Sequence, residues 1–105
     1  DYNRDGRMDL YVGNMFSSAG NRIAYQRQFR SGSDPNSLEG FRRHARGNSL
    51  FENTGDGKFR DVSLETGVTM GRWAWASPFL DFNNDGWLDL AVANGFITNS
   101  DSGDL

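Results

Sequence analysis

The chain has 105 residues, a formal net charge of −3 and no cysteine; that is the length of one small domain, it excludes disulfides, and it gives no general affinity for nucleic acid or acidic membranes. Hydrophobic residues make up only 36%, but eight Phe, three Trp and three Tyr let short strands build an aromatic β core. No apolar run approaches the roughly 20 residues that span a bilayer, and the chain opens inside a motif, so that a leader would lie upstream of it.

That motif is Asp1-Tyr2-Asn3-Arg4-Asp5-Gly6-Arg7-Met8-Asp9. Oxygen-bearing side chains alternate along it and Gly6 permits a sharp reversal, a pattern that points several oxygens at one hard cation such as calcium. An EF-hand loop would need a bidentate Glu at its twelfth position and helices on both sides. Here that position is Val12, and Leu10-Tyr11-Val12 reads as strand. The loop therefore closes at Asp9, with Asp1, Asn3, Asp5 and Asp9 as side-chain ligands and the Arg7 carbonyl completing the set. Three carboxylates crowded into such a turn repel one another without a cation, so metal and loop order are expected to be linked. Magnesium, which demands a rigid octahedron and keeps its waters, suits the loop less well. The competing reading is a polar turn between strands, since Asp, Asn and Gly are the usual turn formers.

A strand is predicted at about residues 8–14, followed by an insertion over 15–47. Between Arg22 and Arg46 the insertion holds six Arg and the sole His, His44, against only Asp34 and Glu39. Asp34-Pro35 can start a helix, Leu38, Phe41 and Ala45 give it a short apolar face, and Gly47 stops it; Gly40 weakens it. Arg42, Arg43 and Arg46 are candidates for binding an anionic partner such as a sulfated polysaccharide. The plainer alternative is a solvated helix whose arginines pair with acids of neighbouring units.

A hairpin follows, from Ser49 to Asn53, turning through Thr54-Gly55-Asp56-Gly57 and returning over Lys58 to Ser63. Residues 64–71 read as a linker. A strand over 72–82 alternates Trp73 and Trp75 with Ala74 and Ala76, and Pro78 within it implies an edge or a bulge. It enters a second motif, Asp81-Phe82-Asn83-Asn84-Asp85-Gly86-Trp87-Leu88-Asp89. Its ligands would be Asp81, Asn83, Asp85 and Asp89 with the Trp87 carbonyl, and Val92 again stands where an EF-hand needs Glu. A last strand is predicted over 87–94, and the polar stretch Asn99 to Leu105 closes the chain.

Residues 1–16 and 81–96 are identical at nine of sixteen positions, so the chain contains an internal repeat. The pattern Asp-x-Asn-x-Asp-Gly-x-x-Asp-Leu-x-Val resembles the FG-GAP/VCBS repeat of the calcium-binding β-propellers of integrin alpha subunits. The stretch from Asn48 to Ser63, with Glu65-Thr66-Gly67-Val68, is similar to secreted proteins of the cartilage acidic protein and ASPIC/UnbV type. The resemblance implies an all-β fragment of a propeller, under two blades of antiparallel strands, with a short helix in the insertion. Residues 1–63 would be a partial blade and 72–105 the start of the next. A propeller needs at least about four blades to close, so the open strand edges predict self-association.

No Ser, Cys or His arrangement marks a nucleophile, and carboxylates bound to calcium would be held ionised and unavailable as acids. The expectation is a non-catalytic, calcium-stabilised segment, secreted or at the cell surface, serving adhesion or the binding of a protein or polysaccharide. The alternative is part of a calcium-dependent extracellular enzyme, of polysaccharide lyase or phospholipase type, whose catalytic residues lie outside this chain.

Overall fold

A computed structural model describes residues 1–16 and 18–94. The end of the second unit, from residue 95 and including Phe96 and the polar stretch to Leu105, lies outside the described residues.

The described chain is mostly antiparallel β-structure with two short helices. β1 (Leu10–Val12), β2 (Ser49–Asn53) and β3 (Phe59–Asp61) form one sheet in that order. β1 and β2 pair with Val12 opposite Ser49, so residues 13–48 are one long excursion from a hairpin. β2 and β3 form the expected hairpin, with Phe51 opposite Asp61 and Asn53 opposite Phe59. Glu52 faces Arg60 and pairs with it at 2.7 Å, a favourable cross-strand contact. Leu50 and Val62, 2% and 1% exposed, are the core of this sheet, and the Leu50 amide donates to Ser63 Oγ at 2.9 Å.

The excursion carries α1 (Ser18–Ala24) and α2 (Pro35–Arg46). α2 starts and stops where its cap residues dictate. The Asp34 carboxylate accepts from the Asn36 and Ser37 amides at 2.8 and 3.3 Å, Pro35 opens the helix, and Gly47 ends it at φ 120°. Leu38 and Ala45 of its predicted apolar face are half-buried, while Phe41 stays at the surface. α1 is an addition to the sequence reading. Gly20 lowers its intrinsic helicity, and so short a helix depends on packing; Ala24 is buried, and α1 packs against α2. Between the helices Phe29 meets Phe41 edge-to-face at 5.7 Å, and the Arg30 and Arg42 guanidinium groups lie over the Phe41 and Tyr25 rings.

The predicted strand over 72–82 is split into β4 (Ala74–Ala76) and β5 (Phe79–Leu80), and the one over 87–94 into β6 (Asp89–Leu90) and β7 (Ala93–Asn94). β4 pairs with β7 and β5 with β6. Pro78, which has no N–H to give, marks the break, and the Ala91 amide still donates to the Pro78 carbonyl at 3.1 Å. A register shift between Ala74 and Ala76 adds a bulge. The result is one interrupted hairpin with the second loop at its tip.

Asn48, whose side chain is fully buried, ties β1 to the segment that follows β3. Its Oδ1 accepts from the Asn14 amide at 2.7 Å, and its Nδ2 donates to the Tyr11 hydroxyl at 2.7 Å, which donates onward to the Val68 carbonyl at 2.8 Å. Burial pushes the Tyr11 phenol up, against the Asn48 hydrogen bond. Gly71 is required opposite, because a Cβ there would collide with the Asn48 amide. The Tyr11 ring also meets Phe79 edge-to-face at 6.2 Å.

Candidate functional site

Both nine-residue motifs fold into the same scaffold. The Asp1 carboxylate accepts from the amides of Asp5 and Gly6 at 2.9 and 3.0 Å; Asp81 accepts from those of Asp85 and Gly86 at 3.1 and 2.9 Å. Asn3 Oδ1 and Asn83 Oδ1 also face the Asp5 and Asp85 amides, each at 3.2 Å. Asp5 Oδ1 accepts from the Arg7 amide at 2.9 Å and Asp85 Oδ1 from the Trp87 amide at 2.8 Å. Asp9 and Asp89 close the turns by accepting from the amides of Tyr2 and Phe82 at 2.8 and 3.1 Å. The backbone is matched as well: Arg4 and Gly6 lie at φ 60° and 81°, Asn84 and Gly86 at 56° and 82°. The spacing of side chains thus dictates the loop, since each oxygen falls where the next turn presents an amide.

The environments differ. In the first loop Arg7 pairs with Asp5 at 2.5 Å and its Nε donates to the Asn53 carbonyl at 2.8 Å. The Asn53 amide donates to Asp9 Oδ1 at 2.9 Å, its side chain donates to the Met8 carbonyl at 3.2 Å, and Asn3 Nδ2 reaches Glu52 at 3.1 Å. The Asp9 side chain is wholly buried, with the α-amino group 3.5 Å away. The Arg7 amide above all, then the Asn3 side chain and the Arg7 guanidinium, hold the Asp5 carboxyl below the usual carboxylate range despite some desolvation. In the second loop Trp87 replaces Arg7, and among the described residues the side-chain hydrogen bonds of the loop stay within residues 81–89. The anchoring by Asn53 is invisible in the sequence, where it is one polar strand residue far from the loop it holds.

The donors fit a hard cation in kind. All are oxygens, and a carboxylate oxygen that accepts one N–H keeps a second lone pair. Among the described residues, no three His, Cys, Asp or Glu side chains are gathered closely enough to hold a metal ion. The scaffold fixes the order of these oxygens around each turn without gathering them at one point.

The structure brings two of the three candidate anion-binding arginines to one carboxylate. Arg43 Nε and Arg46 Nη2 lie 3.1 and 3.2 Å from Asp61 Oδ2 on β3, pinning α2 to the sheet. Burial raises the Asp61 pKa, but the Ser63 hydroxyl and amide and these two guanidinium groups outweigh it and leave the carboxyl below its ordinary value. Arg42 lies apart, 3.9 Å from Glu39 and over the Tyr25 ring. The plainer expectation, arginines paired with acids, thus describes Arg43 and Arg46, although their acid belongs to the same unit rather than to a neighbouring one. An open groove of about 220 Å³ lies beside them, with Val12, Asn14, Ser49 and Phe51 on the sheet side and Arg43 and His44 on the helix side. No helix among the described residues is long and apolar enough to cross a membrane.

A family model described as FG-GAP-like repeat matches residues 1–92 of the chain. No curated protein and no solved structure matches it.

Proposed function

The chain belongs to the FG-GAP-like repeat family, and we propose that it is a calcium-binding segment of an extracellular β-propeller, non-catalytic, serving adhesion or ligand binding. The observation that carries this reading is the matched scaffold of the two loops, which presents the same oxygens in the same order twice. Asp1, Asn3, Asp5, Asp9 and the Arg7 carbonyl would hold one ion. Asp81, Asn83, Asp85, Asp89 and the Trp87 carbonyl would hold the other. Calcium would supply the positive charge that lets three carboxylates share one turn. Extracellular calcium, at about millimolar levels, suits the weaker range of such sites.

The finer assignment, to the cartilage acidic protein and ASPIC/UnbV type, rests on the stretch from Asn48 to Val68. A secreted or cell-surface location follows from the same reading. For partners, we propose a protein or an anionic polysaccharide engaged by the arginine-bearing helices, with Arg42, 3.9 Å from Glu39, the least tightly paired with an acid of the three candidates. Exposed Met8, Phe82 and Leu88, at 78, 65 and 50%, support apolar contact with neighbouring repeats or with a second copy.

The test is a calorimetric calcium titration of the metal-stripped chain with Asp85→Ala beside it. Saturable uptake, halved in stoichiometry by the substitution, is the expected result. An absence of heat up to several times the extracellular calcium range would leave the loops as plain turns. Incubation with acidic polysaccharides should give binding without product; product formation would move the protein to the enzymes.

A further inference from the structure

The two loops touch. The Arg4 guanidinium carbon lies 4.2 Å from the centroid of the Trp87 ring, well inside the roughly 6 Å at which a cation is attracted to an indole face. Arg4 is the fourth residue of the first loop and Trp87 the seventh of the second. Arg4 leaves the first loop from a left-handed backbone conformation, φ 60°. The Trp87 amide donates to Asp85 Oδ1 at 2.8 Å, so a constraint on Trp87 is also a constraint on the Asp85 carboxylate.

The seventh position shows why this contact matters. In the first loop Arg7 is held from outside by the Asn53 carbonyl at 2.8 Å. In the second, among the described residues, the Trp87 ring has the first loop's Arg4 as its outside hold. We infer that Arg4 is a positioning residue for the second loop: its stack on Trp87 fixes the backbone whose carbonyl would face a cation there. The consequence for metal affinity rests on the calcium reading above; the positioning itself does not. Anchoring then passes in one direction, from the β2–β3 hairpin to the first loop and from the first loop to the second. Arg4 also places a positive charge beside the second loop, which opposes a cation there, so charge and positioning must be separated by the choice of variant.

The experiment is NMR-monitored amide exchange of the full chain in chelator, for the unmodified protein, Arg4→Ala and Arg4→Lys. The expected result is exchange about two- to five-fold faster at Gly86 and Trp87 in Arg4→Ala, the range of an exposed cation–aromatic contact. The Asn53 and Leu50 amides should be unchanged, and Arg4→Lys should recover most of the protection. Unchanged exchange at Gly86 and Trp87 overturns the proposal. So does a loss shared equally by Asn53 and Leu50, which would mean general destabilisation, and so does Lys behaving like Ala. Calcium titration of the same samples separates the two readings: faster exchange without calcium uptake keeps the positioning and sinks the calcium reading, whereas calcium uptake with unaltered exchange does the reverse.

Discussion

The first loop is tied to the β2–β3 hairpin by four hydrogen bonds, through Asn53 to Asp9 and Met8, from Arg7 to Asn53, and from Asn3 to Glu52. The second loop, among the described residues, keeps its side-chain hydrogen bonds to itself. Charge differs in step. Each loop has three Asp, but the first also carries Arg4 and Arg7 where the second has Asn84 and Trp87. The first therefore holds a counter-charge of its own, Arg7, 2.5 Å from Asp5, whereas no side-chain cation within the second loop faces its three carboxylates. The same spacing thus gives the same backbone in two different charge environments, and on the calcium reading proposed above the two loops should differ in their dependence on metal. The first loop should be ordered without calcium and bind it weakly; the second should need calcium and bind it more tightly.

The largest effect should come from Asp85→Ala, which removes the carboxylate that meets the Trp87 amide. Calorimetry should show complete loss of uptake at the second loop, while NMR shows the hairpin at 49–63 intact. Melting of that hairpin would mean that the loops are not independently anchored. Next is Trp87→Arg, which gives the second loop the first loop's cation. It should weaken calcium there several-fold, through charge repulsion and competition for Asp85. Unaltered affinity would show that the seventh position does not set the difference. Smaller again is Asn53→Ala, which deletes the side-chain bonds to Met8 and Gly55 at about 1 kcal/mol. Urea denaturation should register that loss, and first-loop amides should exchange faster than those of Asp85 and Gly86.

The smallest effect concerns pH. The Asp5 carboxyl is held below its ordinary value by the Arg7 amide and its neighbours. A depressed folded pKa stabilises fully above the unfolded value, about 3.9, and the contribution is lost as pH falls through the lower folded value. The Arg7 amide resonance should therefore hold its position on acidification past the ordinary carboxylate midpoint and move only below it. Arg7→Gln should raise that midpoint only in part, because it removes the guanidinium and keeps the amide.

What could be read in advance was local. Asp34-Pro35 and Gly47 bound α2 because caps act through adjacent residues, and Asp56-Gly57 marks the hairpin for the same reason. Pro78 warned of the break between β4 and β5. The loops' internal hydrogen bonds follow from alternation alone. α1 carried no such signal: its Gly20 argues against helix, and its support is the surface of α2. Asn48 stands one residue before the predicted hairpin, with nothing local to mark it, yet its buried amide joins Asn14, Tyr11 and, through Tyr11, Val68. The hold of Asn53 on the first loop and of Arg4 on Trp87 depends on segments distant in sequence arriving side by side, which no periodicity encodes.

The pairing of Val12 with Ser49 bears on how quickly this chain can fold. A hairpin with a two-residue turn closes in about 1–10 μs, but β1 can find β2 only by closing a loop over residues 13–48. Each doubling of a flexible loop adds about 0.6 kcal/mol of closure entropy. If α1 and α2 dock first, through contacts close in sequence, the excursion becomes a short rigid bridge and most of that entropy is spent before the strands meet. Weakening the Asp34 cap, as in Asp34→Ala, should then slow formation of the β1–β2 pair in stopped-flow refolding, although Asp34 touches neither strand.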